Sequence, residues 1–161
     1  MGKKATKAAD NVYCIARYKA AETNTVYESR EKTAEALGID RTRLARIELG
    51  TICPYPEEVL NMSLAYEAPE LCNTYCAREC SIGRQTVPEL TVDDLDRLTL
   101  KVLGSLKDVE ELRRRLITIA ADGQITNEER PEFDSILDEL EDLAVNAQAL
   151  QLWARKNIQE K

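Results

Sequence analysis

Residues 29–50, SREKTAEALGIDRTRLARIELG, constrain the fold more tightly than any other stretch of the chain. Ser29 is placed to cap a helix over Arg30–Leu37. Gly38 follows at once, where a left-handed residue ends a helix at least cost. Asp40 then caps a second helix from Arg41 to about Leu49, and Gly50 closes it. Two short helices separated by Gly38, Ile39 and Asp40 alone read as a helix-turn-helix. Ala34, Leu37, Ile39, Leu44 and Ile47 give the pair a small internal core, and Ala34 lets the helices cross closely.

On either side the pattern is also helical. Val12, Ile15, Ala16 and Lys19 follow the helical repeat and predict a first helix over roughly 11–22, and TNTVYE after it reads as a loop. Pro56 suits the first turn of a helix that carries Val59, Leu60, Met62 and Leu64. Pro69 interrupts that helix and starts a fifth, with Leu71, Cys72, Tyr75 and Cys76 to one side. SIGRQTVPELT then reads as a linker.

Past the linker, Thr91 and Asp94 predict a capping box for a long helix. Leu95, Leu98, Val102, Ser105, Val109, Leu112, Leu116 and Ile119 recur there at steps of three and four, a heptad seam. AADGQIT breaks the seam, and Thr126 with Glu129 predicts another capping box. A helix of similar length follows, with its seam on Phe133, Ile136, Leu137, Leu140, Leu143, Ala144, Ala147, Leu150 and Ala154. The expected architecture is all-α. A five-helix head over residues 1–85 precedes a long antiparallel helical hairpin over residues 86–161. Such a hairpin has more apolar surface than it can bury alone, so it is expected to pack on the head, or to mediate dimerisation or partner binding.

Charge is divided between these regions. The chain has 161 residues and a net charge of −7, yet up to Gln85 there are 12 basic and 12 acidic residues. From Thr86 onward there are 10 basic and 17 acidic residues. The first fifty residues alone carry 10 basic and 7 acidic, and Arg30, Arg41, Arg43 and Arg46 fall within seventeen positions. That asymmetry points to a charged partner.

Residues 29–50 resemble the helix-turn-helix of the lambda-repressor-like proteins, the XRE family, through Ala34, Leu37, Gly38, Ile39, Leu44, Ile47, Glu48 and Gly50. The likeness extends more loosely from Asn11 to about Gly83. It implies a sequence-specific regulator of transcription, commonly a repressor and a homodimer, bound to double-stranded DNA. It also implies that Arg30, with Ser29, braces the DNA backbone. It further implies that Glu48 pairs with an arginine of the first helix, for which Arg17 is the match, and so holds the head together. Three positions depart from the family. Thr33 replaces a large aliphatic residue, Leu49 replaces the commoner asparagine, and the connection before Ser29 is longer than usual.

Physical chemistry supports the same expectation. A recognition helix sets its N-terminal residues against base edges in the major groove. Arg41, Thr42 and Arg43 stand at that end, with Arg46 one turn on. Arginine donates two hydrogen bonds to guanine O6 and N7, so a G-rich half-site is expected, while Thr42 suits a thymine methyl. Ser29 and the free amides of its helix suit a phosphate. Lys3, Lys4 and Lys7 form a basic N-terminal tail able to follow the backbone.

Other chemistry is limited. Histidine is absent, which removes Ser-His-Asp and Cys-His catalysis and every His-containing zinc site. No Gly-rich phosphate loop and no acid–base or nucleophilic constellation is visible, so neither an enzyme nor a cofactor is expected. Cys72, Cys76 and Cys80, four apart, share a helical face as candidate thiolate ligands, though packing as small apolar residues is the plainer reading. Residues 122–129 resemble part of a calcium loop but lack its alternating carboxylates, and read as a capping turn. Arg113, Arg114 and Arg115 lie among acids expected to pair with them. No apolar run reaches membrane-spanning length and the N-terminus lacks a signal-peptide core, so a cytoplasmic chain is expected. Two rivals to the DNA-binding regulator remain. One is a protein-interaction module that kept the fold without DNA binding, its acidic half docking a basic protein. The other is a metal- or redox-responsive regulator using the cysteines.

Overall fold

In the computed structural model, which describes residues 8–158, Asn11 opens α1 (Val12–Ala20) by accepting the amides of Tyr13 and Cys14 at 3.0 and 3.1 Å. Two free amides of the helix start are thereby satisfied. The buried side of α1 is Tyr13, Cys14, Ala16, Arg17 and Ala20, while Ile15 and Lys19 face solvent. Of the expected face Val12, Ile15, Ala16 and Lys19, Ala16 is buried and Val12 half-buried, but Ile15 and Lys19 are outside, so the face is rotated. The reason is Arg17, whose charge is turned inward to a buried partner and carries the face with it.

The segment TNTVYE is not a loop. Thr25–Glu28 form a 3-10 helix capped by Asn24. α2 (Arg30–Leu37) follows, and Gly38 ends it at φ +66°. The amides of Gly38 and Ile39 reach back to the carbonyls of Glu35 and Ala34 at 3.2 and 2.9 Å. This paired closure needs a left-handed residue, which glycine adopts freely. α3 (Arg41–Glu48) starts at Asp40, whose carboxylate accepts the Arg43 amide at 2.9 Å, and Gly50 closes it in the manner of Gly38. α4 (Pro56–Ala65) begins at a proline, and α5 (Glu70–Arg78) starts after Pro69. Tyr13, Leu37, Leu44, Ile47, Met62 and Leu71 are central to one buried cluster that binds these helices together.

The expected linker contains α6 (Gly83–Thr86), a single turn. Gly83 is buried so closely on the last turns of α5 that an added Cβ would overlap the Cys76 carbonyl. Gly83→Ala is accordingly expected to destabilise this unit by about 1–3 kcal/mol, since backbone cannot yield as a side chain does. A lowered urea midpoint at unchanged slope checks this.

The chain divides into two compact units, the first ending at Glu89 and the second beginning at Leu90. In the second unit the expected long helix is broken. α7 (Leu95–Leu106) and α8 (Val109–Ile119) are separated by Lys107 and Asp108. Gly104 and Ser105 hold a helix weakly, and aspartate favours a helix start over a helix interior. Asp94 precedes α7 without a side-chain cap, and its neighbour Asp93 instead pairs with Lys101 at 2.5 Å, so the Thr91–Asp94 box does not form.

α9 (Arg130–Asn157) is 28 residues long and packs against both shorter helices. Its entrance does carry the reciprocal bonds of Thr126 and Glu129, at 3.0 and 3.3 Å. Leu112, Ile119 and Ile136 form the buried centre of α8 and α9, and Asn146 donates to Ser105 of α7 at 2.6 Å. The seam of α9 shifts along its length. Ile136 is buried at one end, Ala149 and Leu152 at the other, and Leu137 and Ala144 are exposed. Against two partner helices with different axes, no single stripe stays inward. Arg115 of α8 bonds Glu132, Glu139 and Ser135 of α9, while Arg113 and Arg114 pair with Glu110 and Glu111 within α8. Among the described residues every regular element is helical.

Candidate nucleic-acid interface

α3 is fixed in the first unit from within and from its far end. Leu44 and Ile47 are almost fully buried, and Glu48 lies beside them. Asn11 Nδ2 donates to the Ile47 carbonyl at 3.1 Å, tying the start of α1 to the last turn of α3. Successive helical residues turn by about 100°, so Thr42 and Arg46 lie opposite the Leu44 side. Both are exposed, as is Arg41 in the first turn. The guanidinium groups of Arg41 and Arg46 have no partner among the described residues.

Below that face is an ionic centre. Arg17 donates from Nε and Nη2 to the two Glu48 oxygens at 2.5 and 3.2 Å, with exposures of 2% and 0%. Burial pulls the Arg17 pKa down, but the hydrogen bonds and charge of Glu48 more than offset it, so the guanidinium is held above its ordinary value. Arg30 adds a second cation, its Nε 2.5 Å from Glu48 Oε2. The residue expected at the DNA backbone is thus bound inward through Nε. Its Nη groups are left without a partner among the described residues. Ser29 is half-buried and its side chain makes no capping bond; its carbonyl accepts the Thr33 hydroxyl at 2.8 Å.

Thr33 and the long connection before Ser29 fit together here. The long connection forms the 3-10 helix, whose Tyr27 carbonyl accepts Arg17 Nη1 at 2.7 Å. The Val26 carbonyl of the same turn lies 3.4 Å from the Thr33 hydroxyl, which is fully buried. A threonine is therefore tolerated where apolar bulk is usual, because its hydroxyl has two backbone acceptors. Tyr27 also meets Tyr66 edge to face at 5.3 Å. Leu49 is exposed and takes no part in this packing.

Arg43 is arranged differently from Arg41 and Arg46. Its Nε and Nη2 bond the two Glu58 oxygens at 2.5 and 2.8 Å, and its Cζ sits 4.0 Å from the centre of the Tyr55 ring. Glu58 Oε2 also accepts the Tyr55 amide at 2.7 Å, so the carboxylate that holds Arg43 is itself held. Hydrogen bonding to Arg43 is the main reason the Glu58 carboxyl lies below the usual glutamate value. With a folded pKa below the unfolded one, the clamp is fully stabilising above the unfolded glutamate pKa. It is lost as pH falls through the folded value, so acidification below the ordinary glutamate range is expected to release Arg43. A pH titration of the Arg43 Nε–H resonance checks this.

Glu58 was not among the residues that sequence reasoning selected. The signal was present: glutamate two positions after a helix-opening proline is the third helical residue, where a side chain turns back to the cap. That it also reaches α3 depends on how α4 packs.

The cysteines do not assemble with other donors. Cys72, Cys76 and Cys80 are half-buried, and no group of three Cys, Asp or Glu among the described residues is placed to hold a metal ion. Burial, aided by Cys80 and Cys72, pushes the Cys76 thiol up; burial does the same to Cys14 and Cys53. The basic tail of Lys3, Lys4 and Lys7 lies outside the described residues.

Fold and site together define an all-helical protein with a short arginine-bearing helix set on a buried ionic centre. No protein-family model, no curated protein and no solved structure matches the chain. Among the described residues no helix is long and apolar enough to cross a membrane.

Proposed function

We propose that the chain is a sequence-specific double-stranded DNA-binding regulator, a repressor of the lambda-repressor-like (XRE) type, that enters the major groove with α3. The observation that carries this reading is the exposed trio Arg41, Thr42 and Arg46, whose two guanidinium groups have no intramolecular partner among the described residues, on a helix whose other side is locked in the core. Two cations and a methyl-bearing hydroxyl on one short rigid element supply donors for guanine and a contact for thymine. The Nη groups of Arg30 and the first turn of α2, which has no side-chain cap, supply donors for phosphate. The protein acts as a homodimer. Leu100 and Leu103 support this, being 68% and 58% exposed on the side of α7 away from the buried Leu98.

Selection of bound duplexes from a random pool tests the reading, and a winner with two-fold symmetry is expected from a dimer. Binding is expected to fall steeply with salt, the logarithm of affinity dropping by about 0.9 for each phosphate neutralised per logarithm of salt. Arg41→Ala and Arg46→Ala are each expected to cost about 1–3 kcal/mol on the selected site and to relax one base position. Equal loss on every sequence would assign them to phosphates.

One observation favours the rival interaction module. Two of the four clustered arginines, Arg30 and Arg43, are already bound to this chain's own carboxylates. A selection that enriches no sequence would give that rival precedence.

A further inference from the structure

A guanidinium group presents five N–H donors in a rigid plane, with two edges able to make paired bonds. In Arg43 the edge formed by Nε and Nη2 is filled by Glu58. The other edge, Nη1 with the second hydrogen of Nη2, has no partner among the described residues. Tyr55 covers one face of the plane, and the Tyr55 amide fixes Glu58 in turn. Arg43 is thus held at three points, and its free edge has one direction. By contrast, Arg41 and Arg46 have no such support among the described residues.

Resting on the DNA-binding reading above, we propose that Glu58, with Tyr55, is a specificity-determining buttress that sets Arg43 to read one guanine in each half-site. The free edge matches guanine O6 and N7, two acceptors side by side. Adenine puts a donor in place of O6 and is refused. Holding the side chain beforehand removes the entropy that a flexible arginine loses on docking. The Glu58 carboxylate also disfavours a nearby phosphate, so the same contact that aims Arg43 discourages sequence-independent binding. Glu58 touches no base; it acts through Arg43 and is a positioning residue.

The test is a measurement of affinity for every single-base variant of the selected site, with the full-length protein and its E58Q, R43A and E58Q/R43A variants. E58Q keeps an acceptor for the Tyr55 amide, so α4 keeps its cap, and circular dichroism with thermal melting verifies the fold. The expected result is a roughly tenfold loss of guanine preference at one position. R43A flattens the same position, and E58Q changes the base preference there no further in the R43A background. Affinity for unrelated duplexes is expected to be unchanged or higher in E58Q. The proposal is overturned if E58Q keeps the wild-type preference, or weakens all sequences alike, or alters a position that R43A leaves intact. If wild-type protein selects no duplex, the DNA-binding reading fails and the buttress with it. If it selects one and only the E58Q profile disagrees, the buttress alone fails.

Discussion

Replacing Glu48 by alanine is expected to cost about 3–5 kcal/mol and to leave the first unit largely unfolded near physiological temperature. The loss follows from what remains. Arg17 is 2% exposed, and without Glu48 its charge is left in the core with the Tyr27 carbonyl and the Tyr18 ring in place of a counter-ion. The converse variant, Arg17→Met, strands a carboxylate that among the described residues keeps only Arg30, which is partly exposed. Removing both charges in Arg17→Met/Glu48→Met is expected to be much milder than either single change, because no unpaired ion is buried. Urea unfolding of the four proteins forms a thermodynamic cycle. Additive losses would show that the pair does not act as a unit.

The second large effect is expected in the other unit. Ile136 is fully buried and meets Leu112 and Ile119, with Leu116 and Phe133 packed at the edge. That cluster is small, so a void within it has few neighbours able to close in. Ile136→Ala is expected to cost about 2–5 kcal/mol. The sole tryptophan, Trp153, lies on α9 and reports this unit by fluorescence. A midpoint unchanged from wild type would mean that Ile136 is not at the centre of its packing.

Much of the fold was legible because helix ends are local events. Asp40, Gly38 and Gly50 act on amides and carbonyls within five residues, so their roles can be read one segment at a time. Periodicity was less reliable. The seam of residues 95–119 gave the inward residues well, Leu98, Leu112 and Ile119 among them, yet implied one rod where there are two. A heptad pattern survives a bend as long as each half keeps its apolar side inward. On α1 the pattern favoured Ile15, which is half exposed, because periodicity assigns a charged residue to the outside and Arg17 is inside.

The candidate interface divides in the same way. Arg41, Thr42, Arg43 and Arg46 are adjacent on one short helix, and adjacency along a helix is visible in the sequence. Which of the arginines is free is not visible there. Glu58 reaches Arg43 across fifteen positions and Glu48 reaches Arg30 across eighteen, and neither spacing corresponds to a repeat.

By itself, then, the sequence determined the helical character of this protein, the bend between α2 and α3, and the placing of four cations close together, since each depends on residues a few bonds apart. Tertiary structure alone decided how those cations are used. Arg30 is drawn to a buried carboxylate, Arg43 is clamped and stacked, and Arg41 and Arg46 face outward. The physical reason is that a charge takes the partner that packing brings within about 3 Å, and that distance is set by how helices cross rather than by their order along the chain.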